Sequence, residues 1–139
     1  MIKRISHFGI VVQNLEESAK LWTETYGATL LKRDKVEAEG ITNLFLRIGD
    51  NLIELMEPTD KSDMNNAIAR RLASKGEGIY HLATVVEDLA MAGKDLESKG
   101  VALTYREPIA SEPEGRIVVH PRCASGVLLE LVQRGQELP

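Results

Sequence analysis

The sequence predicts an α+β fold made of two tandem βαβββ modules that share one curved sheet. Three observations carry this prediction. The first is an internal repeat, the signature of a duplicated structural unit. Placing His7 on His81 also places Val11 on Val85, Val12 on Val86, Leu15 on Leu89 and Lys20 on Lys94. With slips of a residue or two, Gly27-Ala28-Thr29-Leu30 falls on Gly100-Val101-Ala102-Leu103, and Asn51–Met56 falls on Val127–Val132. The second is that short runs of β-branched and apolar residues, bounded by turn signals, recur in the same order in both halves. The third is that each half carries one segment with helical spacing, preceded by Asn14 or Asp88 and stopped by Gly27 or Gly100.

Taken in order, residues 5–12 form a strand, and Asn14 caps a helix whose apolar positions are Leu15, Ala19, Leu21, Trp22 and Tyr26. Strands follow at 28–35, 41–48 and 51–57, the last two joined through the Gly49-Asp50 turn signal. Met64, Ala67, Ile68, Arg71 and Leu72 mark a bridging helix at about 60–76, closed by Gly76-Glu77-Gly78. The second module repeats the grammar with a strand at 79–86, a helix from the Asp88 cap to Lys99, and strands near 101–106, 116–120 and 127–133. The expectation is a single domain over residues 1–139, with module 1 at about 4–58 and module 2 at about 78–134. One module of about 60 residues buries too little surface to be stable alone, so two sharing an interior is the physical expectation.

Composition narrows the function. The chain has 139 residues, 43% hydrophobic and 27% charged, with a formal net charge of −4. That is ordinary globular usage. Without a basic block there is no footprint for neutralising nucleic-acid phosphates. No apolar run approaches the roughly 20 residues of a membrane span. The N-terminal stretch reads as a strand rather than a signal peptide. The single cysteine, Cys123, forms no internal disulfide, which suits a reducing compartment. The expected setting is the cytoplasm.

Strand alternation then selects the residues that carry chemistry. Ile5, His7, Gly9 and Val11 share a face, as do Ile79, His81, Ala83 and Val85; Leu52, Glu54 and Met56 share another, as do Leu128, Glu130 and Val132. Glu54 and Glu130 therefore sit among apolar neighbours, where an unpaired carboxylate is costly. No Lys or Arg lies on those strand faces to neutralise them. A lone strand histidine or glutamate is usually structural or solvated. Matched pairs in both halves shift the weight toward one divalent ion held by His7, Glu54, His81 and Glu130. Two imidazoles and two carboxylates suit Co, Ni, Zn, Mn or Fe and argue against Ca or Mg. His120, ahead of Pro121, reads as a structural turn residue, and Cys123 has no base beside it.

These residues resemble the vicinal oxygen chelate (glyoxalase/bleomycin resistance/dioxygenase) superfamily, and within it the methylmalonyl-CoA epimerase family. The matching stretches are H-F-G-I-V-V-Q-N-L-E, F-L-R-I-G-D-N-L-I-E-L-M-E-P, G-E-G-I-Y-H-L-A and H-P-R-C-A-S-G-V-L-L-E-L, which span nearly the whole chain. The resemblance implies a curved sheet around a metal-containing cleft and His7, Glu54, His81 and Glu130 as ligands. It also implies an isomerase that epimerises methylmalonyl-CoA, or a similar 2-substituted acyl-CoA, through C2 deprotonation and a metal-stabilised enolate. Glu130, as a ligand whose second oxygen is left over, is the candidate catalytic base. Asn43 stands where several epimerases carry a glutamate; an amide does not take a proton from carbon, so Asn43 is expected to hydrogen-bond a substrate or enolate oxygen. Two acidic residues in 109–116, Glu112 and Glu114, would be poor company for the phosphates of CoA. A homodimer is implied. The alternative enzyme is a glyoxalase-type lyase or isomerase, or another metalloenzyme of the superfamily on a different small substrate. A ring-cleaving dioxygenase would leave Glu54 unexplained, and a metal-free binding protein would want more aromatic residues than this chain has.

Overall fold

A computed structural model describes residues 1–135. Its elements run β1 (Ile2–Val11), α1 (Leu15–Lys20), β2 (Thr29–Val36), β3 (Ile41–Ile48), β4 (Asn51–Pro58), α2 (Ala67–Lys75), β5 (Gly78–Val86), α3 (Leu89–Ser98), β6 (Leu103–Arg106), β7 (Arg116–Val119) and β8 (Leu128–Val132). The βαβββ order thus occurs twice, with α2 between the copies. The described residues divide into two compact units, Phe8–Tyr80 and Met1–His7 together with residues 81–135. The division falls inside β1 and β5, so it does not coincide with the repeat boundary.

In the Phe8–Tyr80 unit, β2, β3 and β4 form an antiparallel meander, and β4 pairs in parallel with the second half of β1, where Gly9 is the register partner of Glu54. The tight β3–β4 connection turns on Gly49, whose φ of 60° is a conformation open to glycine at little cost. Asn14 caps α1 as expected, its Oδ1 accepting from the Glu17 N–H at 3.0 Å. The helix does not run unbroken to Gly27, however. It changes to a π-helical turn at Leu21–Thr25. The bridging helix is also shorter than the predicted 60–76: Asn66 caps it, accepting from the N–H groups of Ile68 and Ala69 at 2.9 and 3.0 Å. Residues 60–66 are turns built on local side-chain bonds; Ser62 donates to Asp60 Oδ1 through its hydroxyl and its backbone, which holds the Asp60 carboxyl below its ordinary pKa.

Strand β4 separates two interiors. On one face Ile53 and Leu55 pack with Val12, Leu15, Leu44 and Leu46; on the other Met56 packs with Val11, Ile41, Ile68 and Leu72. Glu54 shares the Met56 face.

In the other unit, β5 pairs in parallel with β8, and β8 and β7, then β7 and β6, pair antiparallel. The strand order is β1-β5-β8-β7-β6 here and β2-β3-β4-β1 in the first unit, with β1 serving both. Asp88 caps α3 by accepting from the Met91 N–H at 3.0 Å. Leu89, Ala92, Ile117, Val119 and Leu131 form its core with Val86. Gly93 lets α3 sit close to the strands, since a Cβ there would meet the Tyr105 hydroxyl at 2.6 Å. Alternation also over-reached at two positions. Ile5 and Ile79 were expected to share the faces of His7 and His81, yet they are 52% and 64% exposed. Parity chooses a side of the strand and says nothing about whether that side is covered.

Candidate metal centre

Three of the predicted donors come together in the unit of Met1–His7 and His81 onward. His7 and His81 are both buried, and their Nε2 atoms stand 3.3 Å apart with the rings edge to face. From the side of β8, Glu130 Oε2 lies 3.7 Å from His81 Nε2. The Ser6 hydroxyl lies 3.0 Å from His7 Nδ1. With Nδ1–H donating to that hydroxyl, Nε2 keeps its lone pair for a ligand, the arrangement that orients metal-binding imidazoles.

The donor set fits a first-row divalent ion. Two imidazole nitrogens bound about 2.0–2.1 Å from one ion at a tetrahedral angle lie about 3.3 Å apart. That is the spacing seen between the two Nε2 atoms, and it is long for an N–H···N hydrogen bond.

The environment of Glu130 corrects two sequence expectations. A cation does lie beside this carboxylate: Arg116, from the adjacent strand β7, places Nε 3.6 Å from Glu130 Oε1. The second carboxylate oxygen therefore faces a cation at ion-pair distance, 3.6 Å, without a hydrogen bond from Nε among the described residues. Arg116 also donates from a terminal nitrogen to Glu112 Oε2 at 3.1 Å. The side chains of Arg116, Glu112 and Glu130 are only 11%, 14% and 12% exposed. The acidic charge of the 109–116 segment is compensated on both counts, since Glu114 pairs with Arg134 at 2.9 Å. Reading along single strands missed Arg116 because the relevant neighbour is across the sheet.

Glu54 belongs to the Phe8–Tyr80 unit and is 7% exposed. Asn43, 5% exposed, donates from Nδ2 to Glu54 Oε2 at 2.6 Å. Its Oδ1 is buried with no hydrogen-bond partner among the described residues. The register explains both contacts. Phe45 is opposite Glu54, and Asn43 is the next residue on that face of β3; Val118 is opposite Glu130, and Arg116 is the next residue on that face of β7. Diagonal neighbours at this distance are within reach of long polar side chains. Asn43 and Arg116 thus hold equivalent positions in the two copies. This equivalence rests on the register of β7 against β8, which the repeat alignment by itself does not fix.

Two residues set aside at the outset stay outside the site. His120 Nδ1 accepts from the Arg122 N–H at 3.1 Å and caps the short 3-10 turn Pro121–Cys123. Cys123 is free and exposed.

The family model of the glyoxalase/bleomycin resistance protein/dioxygenase superfamily matches residues 6–119. The chain belongs to this superfamily. Its relatives within the superfamily place it among the methylmalonyl-CoA epimerases. It is 32% identical to methylmalonyl-CoA epimerase from Mycobacterium tuberculosis, with a TM-score of 0.82 over 94% of this chain and 87% of that one. A variant of the Streptomyces coelicolor methylmalonyl-CoA epimerase, in complex with 2-nitronate-propionyl-CoA, matches at 31% identity and a TM-score of 0.84, covering 95% and 97% of the two chains. The mitochondrial methylmalonyl-CoA epimerase of Dictyostelium discoideum is 29% identical over 96% of this chain and 80% of its own. In this superfamily member, as expected from the sequence, two βαβββ copies each contribute a strand histidine and a strand glutamate. Among the described residues, no helix is long and apolar enough to cross a membrane.

Proposed function

We propose that this superfamily member is an isomerase that epimerises methylmalonyl-CoA, or a closely similar 2-substituted acyl-CoA, by removing and returning the proton at C2. The observation that carries the reading is the gathering of two imidazole nitrogens and the Glu130 carboxylate at one place, in a chain similar along its length to epimerases. His7, Glu54, His81 and Glu130 would hold one divalent ion of the Co, Ni, Zn, Mn or Fe group. When bound, that ion supplies Lewis acidity toward the thioester oxygen and so favours charge development there.

The protein's own residues do the rest. Glu130 is the candidate acid–base group for one face of C2, and inversion needs a second group on the opposite face, a part the Asn43 amide does not play. Arg116 Nε and His81 Nε2 lie 3.6 and 3.7 Å from the two Glu130 oxygens, one nitrogen beside each. An amide has two N–H donors. The Asn43 amide spends one of them on Glu54 and offers the other to a substrate oxygen, the role of a preorganised donor where negative charge develops. The Ser6 hydroxyl holds the His7 ring. The whole chain, 1–139, works as one domain, pairs as a homodimer and acts in the cytoplasm.

The test is to incubate the protein, loaded in turn with each candidate ion, with one epimer of methylmalonyl-CoA in deuterated water. Epimerisation with deuterium appearing at C2 is the expected result. The hemithioacetal of methylglyoxal and glutathione serves as the competing substrate. Isomerisation of that compound, with no exchange at C2 of the acyl-CoA, would replace the epimerase reading by the glyoxalase one.

A further inference from the structure

We infer that Arg116 is a positioning residue that restricts Glu130 to one oxygen toward the imidazole pair. The inference rests on the reading of Glu130 as a metal ligand given above, and assigns a role to a residue that reading does not require. Its first support is the division of the carboxylate: Oε1 is 3.6 Å from Arg116 Nε, while Oε2 is 3.7 Å from His81 Nε2. The second is anchorage. Glu112 accepts from the Arg116 guanidinium at 3.1 Å, so the cation is held from its far side, and the three side chains are too buried for water to average their positions.

The third support is independent of the first two. In the other copy the equivalent register position is Asn43, which donates to one oxygen of Glu54. Two chemically different residues at one position of the repeat each engage the glutamate of the neighbouring strand. Filling a buried strand position needs no charge, and an apolar residue of similar size is often the more stable choice there. A role in directing the carboxylate accounts for a guanidinium at this place.

The consequence is a restriction on how the carboxylate would bind an ion. A carboxylate with both oxygens unrestrained can chelate an ion with both. Held by Arg116, Glu130 would supply one oxygen to a bound ion rather than two.

Cobalt(II) is the probe, because its visible absorption weakens as coordination number rises. The Co2+-loaded wild type is compared with R116Q, R116K and E130Q, each first checked for a cooperative thermal transition. Removing the guanidinium also removes a positive charge, which by itself favours cation binding, so affinity alone is the wrong readout and the spectrum is the right one. R116Q is expected to lose about half or more of the visible absorbance as the second oxygen joins the ion. R116K, which keeps the charge, is expected to recover most of it. An R116Q spectrum that superposes on wild type, while E130Q differs, overturns the positioning role and leaves the ligand reading intact. An E130Q spectrum that also superposes overturns both, because Glu130 is then no ligand. The wild type alone gives a second measurement that does not depend on R116Q folding. Infrared difference spectra on adding Co2+, with the Glu130 bands assigned by their loss in E130Q, should show the wide separation of carboxylate stretches typical of one-oxygen binding. A narrow, chelate-type separation overturns the proposal.

Discussion

The two copies of the βαβββ module match in what they donate and differ in what steadies the donor. Each places a histidine two residues ahead of the strand partner of its glutamate: His7 before Gly9 opposite Glu54, His81 before Ala83 opposite Glu130. Each then sets a polar side chain from the neighbouring strand against that glutamate. In the first copy this is the neutral amide of Asn43 at 2.6 Å, and in the second it is the guanidinium of Arg116 at 3.6 Å, itself tied to Glu112. A neutral hydrogen bond orients a carboxylate without cancelling its charge. A guanidinium does both, and at the cost of burying a second charge. The two copies therefore hold equivalent candidate positions in unequal surroundings. Under the proposed function, Glu130 is the proton-transfer candidate and Glu54 a candidate ligand alone.

The sharpest way to break the comparison is to remove each carboxylate in turn. E130Q should lower C2 deuterium exchange by about 10²–10⁴-fold, the range of a lost general base. E54Q should act chiefly on metal retention, by about 10–100-fold in Co2+ affinity. Equal losses of exchange in both variants at saturating metal would show the two glutamates to be interchangeable.

Stability separates the two partners next. R116M strands Glu112 and Glu130 without their shared cation and should cost about 3–5 kcal/mol in urea unfolding of the metal-free protein. N43L removes one buried hydrogen bond to Glu54 and should cost about 1–3 kcal/mol. A reversed order would mean that the ion pair is not what holds the β7–β8 face together.

Where the copies are alike, their variants should be alike. N14A and D88A each delete an N-cap bond of 3.0 Å and should each cost about 0.5–2 kcal/mol, with similar values for the two. The smallest effect is a spectroscopic one in the second copy. Tyr105 donates to Glu97 at 2.5 Å, and this bond raises the phenol above its ordinary pKa by favouring the protonated form. Whatever the bond adds to stability is present while the phenol is protonated in the unfolded chain as well, and is lost as pH rises through the raised pKa of the folded state. Ultraviolet titration of E97Q should return Tyr105 toward the ordinary tyrosine value.

Much of the fold was legible because it rests on local rules. The caps at Asn14 and Asp88 and the turn at Gly49 depend on neighbours a few residues away, and each was found where the residue types put it. His120 likewise declared its turn role through the proline that follows it. The π-helical turn at Leu21–Thr25 was not legible, since the apolar spacing there fits an unbroken helix equally well and one extra residue per turn leaves little trace in the pattern. The extent of α2 was misjudged for a related reason: apolar spacing around Met64 resembled helix, while Asp60 and Asp63 bind nearby backbone N–H groups and form turns instead.

What the sequence by itself determined is the duplication, the strand parity and hence the choice of four candidate donors, because a period of two along a strand is set by the backbone and needs no partner. What only the tertiary structure decided is which side chains reach those donors from across the sheet. Arg116 follows the 107–115 connection between β6 and β7, and no local rule sets the register in which β7 then meets β8. That register is fixed by packing Ile117, Val119 and Leu131 into one core, and it is this packing that brings a guanidinium to Glu130.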